Sequence, residues 1–218
     1  MADMLLTFGD SWTAGSGLKS DSEKYGTLLS HQLGFEYEDF SRCSTGVPHL
    51  LMQFRQFVSK SHIWPHSDST DRYHAVFFIS AMERGIYFDH NGNHKEIIPS
   101  DQQFQNYYTE LYNDHLGTFN VNNTLLSLQN LCRLYGIRDY YSFGWQTVPL
   151  WPEVDRSRFY DRGRSNILNM FAGDYHSTIY DLIVNPNPYM IYNDGHPNAA
   201  GHQKIANMLA VLIEKNLC

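Results

Sequence analysis

The sequence predicts an α/β protein, a three-layer α/β/α sandwich built on a central parallel sheet. Strand-like and helix-like segments alternate along the 218 residues, which is the pattern of successive βαβ units. Residues 75–79 (Ala-Val-Phe-Phe-Ile) form an uninterrupted apolar run, typical of a central strand covered on both faces. Residues 199–217 instead place apolar side chains on one helical stripe. In such folds the functional groups gather at the carboxyl ends of the strands.

The predicted elements can be placed in order along the chain. Ser22 can cap the first helix, and Gly34 follows its last residue. Pro48 suits the start of the second helix, and Gly136 stops the fourth. We expect strands at residues 4–8, 35–40, 75–79 and 137–143. We expect helices at residues 22–33, 48–58, 102–116, 124–134 and 199–217, irregular chain at 85–100, and loops with short helices at 144–190.

The size and composition fit one globular domain. We predict a single domain over residues 1–218, with insertions around 84–125 and 144–190 that form the rim of a cleft, because insertions at strand ends lie beside functional sites. Hydrophobic residues make up 42% of the chain, enough for a core, and aromatic residues make up 15%. Aromatic side chains bury large areas and also line sugar- and ester-binding clefts, so their excess suits either use.

Charge and cysteine content exclude several kinds of partner. The net charge is −7 and no basic run stands out, so nucleic acid is not expected as a partner. The apolar run near the N-terminus is too short for a signal peptide, and we expect no membrane span. Cys43, Cys132 and Cys218 form neither a CxxC motif nor a disulfide framework, which favours the cytoplasm or another reducing compartment.

No cofactor and no metal are expected from the sequence. The histidine pairs 62/66 and 90/94 have i, i+4 spacing, which can hold a metal ion on a helix. Both pairs lie in loop-like segments without an acidic third ligand, so we do not predict a metal site there.

The two ends of the chain carry residues that suit nucleophilic catalysis. The first predicted strand runs into Gly9-Asp10-Ser11, a sharp turn that presents a hydroxyl group. Asp194 and His196 stand just before the final helix. A serine, a histidine that takes its proton and an acid that orients the histidine are the parts of a nucleophilic hydrolase.

Each of these motifs has an ordinary structural explanation when it is taken alone. Gly-Asp-Ser can be a plain strand-to-helix turn, and Asp10 can simply satisfy nearby backbone N–H groups. Asp-Gly-His-Pro can be a surface turn that caps the last helix. Found together at the two ends of an α/β pattern, they favour catalysis. The aromatic side chains that could wall a cleft, or equally pack in the core, are Trp145, Trp151, Phe159 and Tyr160.

The chain resembles the SGNH, or GDSL-type, esterases and lipases. Gly9-Asp10-Ser11 matches the first block of that family, Gly46 its second, and Asp194 with His196 its last. The resemblance implies a flavodoxin-like α/β/α sandwich and a Ser-His-Asp triad. Ser11 would be the nucleophile, His196 the general base and Asp194 the acid that orients it. The backbone N–H groups of Ser11 and Gly46 would form the oxyanion hole.

The third and last blocks depart from the family pattern. The third block normally reads Gly-x-Asn-Asp, with the Asn donating to the oxyanion, but Met82 stands at the Asn position here. Methionine cannot donate a hydrogen bond, which leaves Ser80 or Arg84 as replacements. The last block is one residue shorter than Asp-x-x-His, so strict spacing puts Asn193 at the acid position. We prefer Asp194, because the glycine beside it lets the turn adapt.

Two functions of different classes follow. The first is a serine esterase that hydrolyses O-acyl esters, such as acetyl groups on a carbohydrate, with a small molecule or glycan ester as its partner. Lipases, thioesterases and acyltransferases of the same family are not separated from it by the sequence. The alternative is a catalytically impaired domain that binds a glycan or a protein. Met82 favours this alternative, whereas the retained Ser11, Asp194 and His196 argue against it.

Overall fold

A computed structural model describes residues 2–63, 65, 72–91, 94–172, 187–191 and 194–217. Asn193, Cys218 and the predicted loops over residues 66–71 and 173–186 lie outside the described residues. The strands are β1 Met4–Phe8, β2 Glu36–Asp39, β3 Tyr73–Ile79, β4 Gly85–Phe88, β5 His94–Ile97 and β6 Arg138–Phe143. The helices are α1 Ser11–Ala14, α2 Tyr25–Leu33, α3 His49–Ser61, α4 Asp114–Tyr135, α5 Ile167–Ala172 and α6 Ala199–Leu217.

The central sheet has four parallel strands in the order β2-β1-β3-β6. Leu6 of β1 pairs with Ala75 of β3, and Ala75 pairs in turn with Asp139 of β6. Every residue of β3 is buried, as the apolar run in the sequence predicts. The predicted α/β/α sandwich with a central parallel sheet is therefore confirmed, and the carboxyl ends of all four strands lie along one edge.

Alternate side chains of the strands feed two separate cores. Leu6 and Phe77 pack beneath α3 and α4, whereas Leu5 and Phe78 pack beneath α2, α5 and α6. The ring centroids of Phe8 and Phe77 are 4.8 Å apart in a stacked pair. Burying each such ring contributes about 1.5–3 kcal/mol, so the sheet is a rigid platform for the loops at its edge.

Residues 85–100 are not irregular, and that prediction is wrong. β4 and β5 form an antiparallel hairpin in which Gly85 pairs with Ile97 and Phe88 with His94. The Asn-Gly dipeptide at residues 91–92, which favours a hairpin turn, is the signal in the sequence that the prediction overlooked.

The predicted helix over residues 102–116 is also wrong. The chain forms a 3₁₀ turn at Gln102–Phe104 and a π-helical turn at Tyr107–Leu111 before α4 begins at Asp114. Asn113 causes the break, because its side chain accepts a hydrogen bond from the N–H of Leu116 at 2.9 Å and caps α4. The predicted helix 124–134 is the second half of α4, and Gly136 ends it in the left-handed conformation (φ 66°).

The remaining helices begin and end close to the residues predicted from the sequence. One difference is that Ser22 does not cap α2. It lies in a 3₁₀ turn that Ser20 caps, and α2 starts at Tyr25. Gly34 ends α2 as predicted, at φ 70°. The helix α6 has the predicted bounds. None of the helices in the described ranges combines the length and the apolar character that crossing a bilayer requires.

Candidate active site

A cleft of about 440 Å³ opens at the carboxyl edge of the sheet. The segment after each of the four parallel strands supplies at least one lining residue, and the turn before α6 supplies the remainder. The cleft brings together the predicted Ser11, Asp194 and His196 from the two ends of the chain. Its lining residues are Ser11, Ser16, Cys43, Ser44, Arg84, Trp145, Asp194, Gly195 and His196.

The turn that presents Ser11 is held by buried hydrogen bonds. Gly9 directly follows β1, and a Cβ atom there would lie 2.1 Å from Thr13 Oγ1, so only glycine fits. The side-chain amide of Gln53 forms a pair with the Gly9 backbone: Gly9 N–H donates to Oε1 at 2.9 Å, and Nε2 donates to Gly9 O at 2.8 Å. Ser11 is the first residue of α1 and its side chain is largely buried. Gln53 therefore fixes the backbone two residues before the hydroxyl group.

Asp10 lies beneath the cleft rather than in it. Its side chain is 1% exposed and accepts a hydrogen bond from Trp12 N–H at 3.0 Å, which caps α1. Burial raises the pKa of Asp10, while the Trp12 N–H, the Ser80 hydroxyl and the charge of Arg84 oppose that rise. Ser80 is itself buried and lies against Asp10, so it does not reach the cleft surface.

Asp194 lies beside His196, as the preferred interpretation of the last block requires. Oδ1 of Asp194 is 3.2 Å from Nδ1 of His196, within ion-pair distance. The two groups are not aligned as a hydrogen bond, since Nδ1 is buried without a well-directed acceptor. Apo active sites commonly tighten such contacts only when substrate binds.

The histidine turn is tied to the nucleophile turn by a buried tryptophan. Trp12 Nε1 donates to Gly195 O at 3.0 Å, and the Trp12 side chain is fully buried. Ile191 N–H donates to His196 O at 2.8 Å and closes the turn. Gly195 has a φ of 78°, a conformation that glycine adopts without strain. The glycine in Asp-Gly-His thus permits the short spacing between acid and base.

The Gly46 N–H has a hydrogen-bond partner inside the protein. It donates to Nδ1 of His49 at 3.1 Å, and Gly46 does not line the cleft. A Cβ atom at this position would lie 2.6 Å from Arg84 O, so the glycine lets the segment after β3 approach. The oxyanion role of Gly46 stays a prediction that requires its N–H to leave His49.

Met82 turns away from the cleft. Its side chain packs against the core beneath α4, where a Cβ atom on Gly117 would lie 3.2 Å from the Met82 sulfur. The position that carries the oxyanion-binding Asn in the family therefore contributes to the core here. The sequence-based expectation that Met82 donates nothing agrees with this placement.

Arg84 takes up a place in the cleft wall together with Trp145. The Arg84 guanidinium carbon lies 5.4 Å from the centre of the Trp145 ring, a cation–π contact. Its Nη1 reaches Thr45 O at 3.4 Å, a long hydrogen bond. The arginine side chain is thus supported from two sides while it borders the same cavity as Ser11.

Sequence reasoning missed several residues that line the cleft. Ser16 and Cys43 line it and contact each other, with Oγ and Sγ 3.2 Å apart. Their positions after α1 and β2 are the only signal in the sequence.

The structure separates the two uses that the sequence left open for the aromatic candidates. Trp145 borders the cleft, whereas Phe159 is a buried core residue. A further histidine near the last block, His202, is fully buried and accepts a hydrogen bond from Tyr25 N–H, so it lies in the core and not in the cleft.

The structure offers no obvious place for a metal ion within its described part. No group of three His, Cys, Asp or Glu side chains in that part is arranged to hold one. Cys43 and Cys132 are both free thiols, the first exposed and the second buried.

Comparison with solved structures identifies the fold. A lipolytic protein of the G-D-S-L family from Desulfitobacterium hafniense superimposes with a TM-score of 0.53 at 9% identity, over 96% of this chain and 99% of that one. The psychrotrophic esterase EstA from Pseudoalteromonas sp. gives 0.51 at 13% identity, over 99% and 98%. The chain has the fold of the SGNH hydrolases. The fold that the resemblance implies is therefore confirmed.

A longer SGNH-fold protein is also similar. The acetyl xylan esterase Est2A from Butyrivibrio proteoclasticus gives a TM-score of 0.53 at 15% identity, and the chain matches 64% of its length. No protein-family model matches the sequence, and neither does any curated protein. At these identities the likeness establishes the fold, and the chemistry has to be argued from the site itself.

Proposed function

We propose that the protein is a serine esterase that hydrolyses O-acyl esters. The observation that carries the proposal is that Ser11, His196 and Asp194 border one cleft, with the Asp194 and His196 side chains 3.2 Å apart. Ser11 precedes Asp194 by 183 positions and His196 by 185, so local turn chemistry does not explain why the nucleophile shares a cleft with the acid and the base.

The proposed reaction proceeds in two halves. The hydroxyl oxygen of Ser11 attacks the ester carbonyl carbon, and its proton passes to Nε2 of His196. The tetrahedral intermediate collapses when the C–O bond to the alcohol breaks and His196 returns the proton to the departing oxygen. A water molecule then attacks the acyl-enzyme by the same route, which releases the acid and restores Ser11. Asp194 stabilises the imidazolium form of His196 in both halves.

The proposed substrates carry small acyl groups. Trp145 borders the cleft, and aromatic side chains are common in clefts that bind sugars and esters. The similar fold of an acetyl xylan esterase supports acetyl groups on a carbohydrate as the first substrates to try.

Hydrolysis of p-nitrophenyl esters tests the proposal. Wild type should turn over p-nitrophenyl acetate, and Ser11→Ala should lose activity by about 1000-fold or more, because the nucleophile is gone. Ser22→Ala is the matched control, since Ser22 is exposed on the 3₁₀ turn before α2. Equal turnover by wild type and Ser11→Ala would contradict the proposal. A series of longer acyl chains would then define the acyl preference.

A glycan- or protein-binding domain without catalysis is the second candidate. Two observations favour it: Met82 packs in the core, and the Gly46 N–H is bonded to His49, so the site lacks two expected oxyanion donors. A fluorophosphonate probe separates the candidates, because it reacts only with an activated serine. Folded wild type that stays unlabelled and hydrolyses no ester would support the binding domain.

A further inference from the structure

The proposed hydrolysis creates a charge that few groups of this cleft can stabilise. A negative charge develops on the carbonyl oxygen in the tetrahedral intermediate, and serine hydrolases stabilise it with hydrogen-bond donors aimed at that oxygen. The Ser11 N–H lies in the first turn of α1, where N–H groups lack an intrahelical acceptor. The N–H of Gly46 is bonded to His49, and Met82 faces the core. The site therefore needs another donor.

Arg84 is placed to supply that donor. It is the only lysine or arginine among the described residues that line the cleft, and it borders the same cavity as Ser11 and His196. Gly46 allows this placement, because any larger residue there would collide with the Arg84 backbone. The contacts with the Trp145 ring and Thr45 O position the Arg84 side chain, and neither of these groups carries a negative charge.

The charge of Arg84 is not neutralised by a partner. No carboxylate in the described part of the chain forms a salt bridge with it. The buried Asp10 does feel the guanidinium, which opposes the burial-driven rise of the Asp10 pKa. Of the five N–H donors of a guanidinium, the long bond to Thr45 O uses one.

We infer that Arg84 is a catalytic residue that stabilises the oxyanion in place of an asparagine side chain. This inference rests on the proposed esterase function. The guanidinium donates N–H hydrogen bonds to the carbonyl oxygen as its charge grows, and it keeps its own proton throughout. The interaction is stronger in the tetrahedral state than in the bound ester, so it raises kcat rather than substrate affinity.

Kinetics of Arg84 variants on p-nitrophenyl acetate test the inference. Arg84→Met, which roughly keeps the side-chain length and has no hydrogen-bond donor, should lower kcat by about 100- to 1000-fold with KM within a few-fold of wild type. Arg84→Lys keeps the positive charge but lacks the planar guanidinium with its several N–H donors. Its kcat should therefore fall between those of wild type and the variant without a donor. Affinity for a boronic acid, which forms a tetrahedral adduct with the serine, should fall by the same factor as kcat/KM. Arg133→Ala, an exposed arginine on α4, is the matched control and should equal wild type.

Two results would overturn the role of Arg84. One is an unchanged kcat in folded Arg84→Met. The other is a loss confined to KM and to an ester with a free carboxylate, such as mono-p-nitrophenyl succinate, because that pattern makes Arg84 a substrate anchor. If Arg84→Met does not fold, Arg84→Lys decides: a lower kcat at unchanged KM supports the inference, and a wild-type kcat overturns it.

Failure of the inference differs visibly from failure of the esterase proposal. If wild type hydrolyses no ester and Ser11 is not labelled, the esterase proposal fails and the role of Arg84 falls with it. If wild type is active and Arg84→Met is equally active, only the role of Arg84 is lost.

Discussion

The two walls of the cleft are held in different ways. On the wall formed by the Ser11 and His196 turns, buried hydrogen bonds of 2.8–3.0 Å fix the backbone through Gln53 and Trp12. On the second wall, formed by Arg84 and Trp145, Arg84 is held by a cation–π contact with Trp145 and a hydrogen bond of 3.4 Å. The hydrogen bonds of the first wall are shorter, so we expect its geometry to be the more fixed of the two.

This difference suits the division of labour that we propose. Nucleophilic attack and proton transfer need atoms placed within a fraction of an ångström, which buried hydrogen bonds provide. Stabilising a growing charge needs a donor near the oxygen, and a side chain that swings through a small arc can provide it. Breaking the first wall should therefore affect stability and activity together, and breaking the second should affect activity alone.

The largest effect on activity is expected when His196, the proposed general base on the first wall, is replaced. His196→Ala should lower kcat/KM by about 1000-fold or more, because the proposed general base for the Ser11 hydroxyl is removed. Steady-state hydrolysis of p-nitrophenyl acetate measures the loss. His31→Ala, on the exposed side of α2, serves as the control and should match wild type. Comparable activity in both variants would remove His196 from the mechanism.

The free energy of unfolding should depend on pH through the buried His202. Burial lowers the pKa of His202 from 6.5 to about 4, so the unfolded chain binds this proton more readily than the native protein. The stabilisation is complete above pH 6.5 and is lost as pH falls towards 4, by a total on the order of 3 kcal/mol. Urea unfolding across this range should show a shallower decline in His202→Asn, whose side-chain oxygen can still accept from Tyr25. Parallel pH curves for wild type and variant would show that His202 is not responsible.

Loss of the two hydrogen bonds between Gln53 and Gly9 should have a smaller effect, on stability and on activity together. Gln53→Ala leaves the buried N–H and C=O of Gly9 without these partners, so the free energy of unfolding should fall by about 2 kcal/mol or more. The kcat should fall as well, since Ser11 loses its fixed position. Gln56→Ala, three residues along α3 and exposed, should change stability by less than about 0.5 kcal/mol. If the two variants are equally stable, the hydrogen bonds of Gln53 do not stabilise the first wall.

The smallest stability effect is expected on the second wall. Trp145→Phe keeps an aromatic face but weakens the cation–π contact, which is worth about 0.5–1 kcal/mol at a partly exposed site. Nε1 of Trp145 has no hydrogen-bond partner within the described residues, so its removal costs no bond. Thermal unfolding should change little while kcat decreases. A large loss of stability would show that this wall is as rigid as the first.

Part of this architecture is predictable from the sequence, because some segments carry in their own residues the pattern that determines their structure. The strand ending at Gly9 and the amphipathic helix α6 carry their own periodicity and breaker signals, and the structure follows them. The hairpin of β4 and β5 was signalled only by one Asn-Gly dipeptide, and the cap at Asn113 outweighed the helical spacing around it.

The site itself could be predicted only as far as its motifs reach. Ser11, Asp194 and His196 stand in recognisable blocks, and the fold brings them to one cleft. The pairing of the Gly46 N–H with His49 depends on which conformation the His49 side chain adopts at the start of α3. The contact of Arg84 with Trp145 joins the segments that follow β3 and β6. Neither contact leaves a periodic or compositional trace, so both required the three-dimensional structure.

Mapping the adduct of a fluorophosphonate probe tests the central claim most directly. Wild-type protein is treated with the probe, digested and analysed by mass spectrometry, beside Ser11→Ala and the Ser22→Ala control. We predict a single adduct on Ser11 in wild type and in Ser22→Ala, and none in Ser11→Ala. Folded wild type without an adduct, or with the adduct on another residue, would contradict the assignment of Ser11 as the nucleophile.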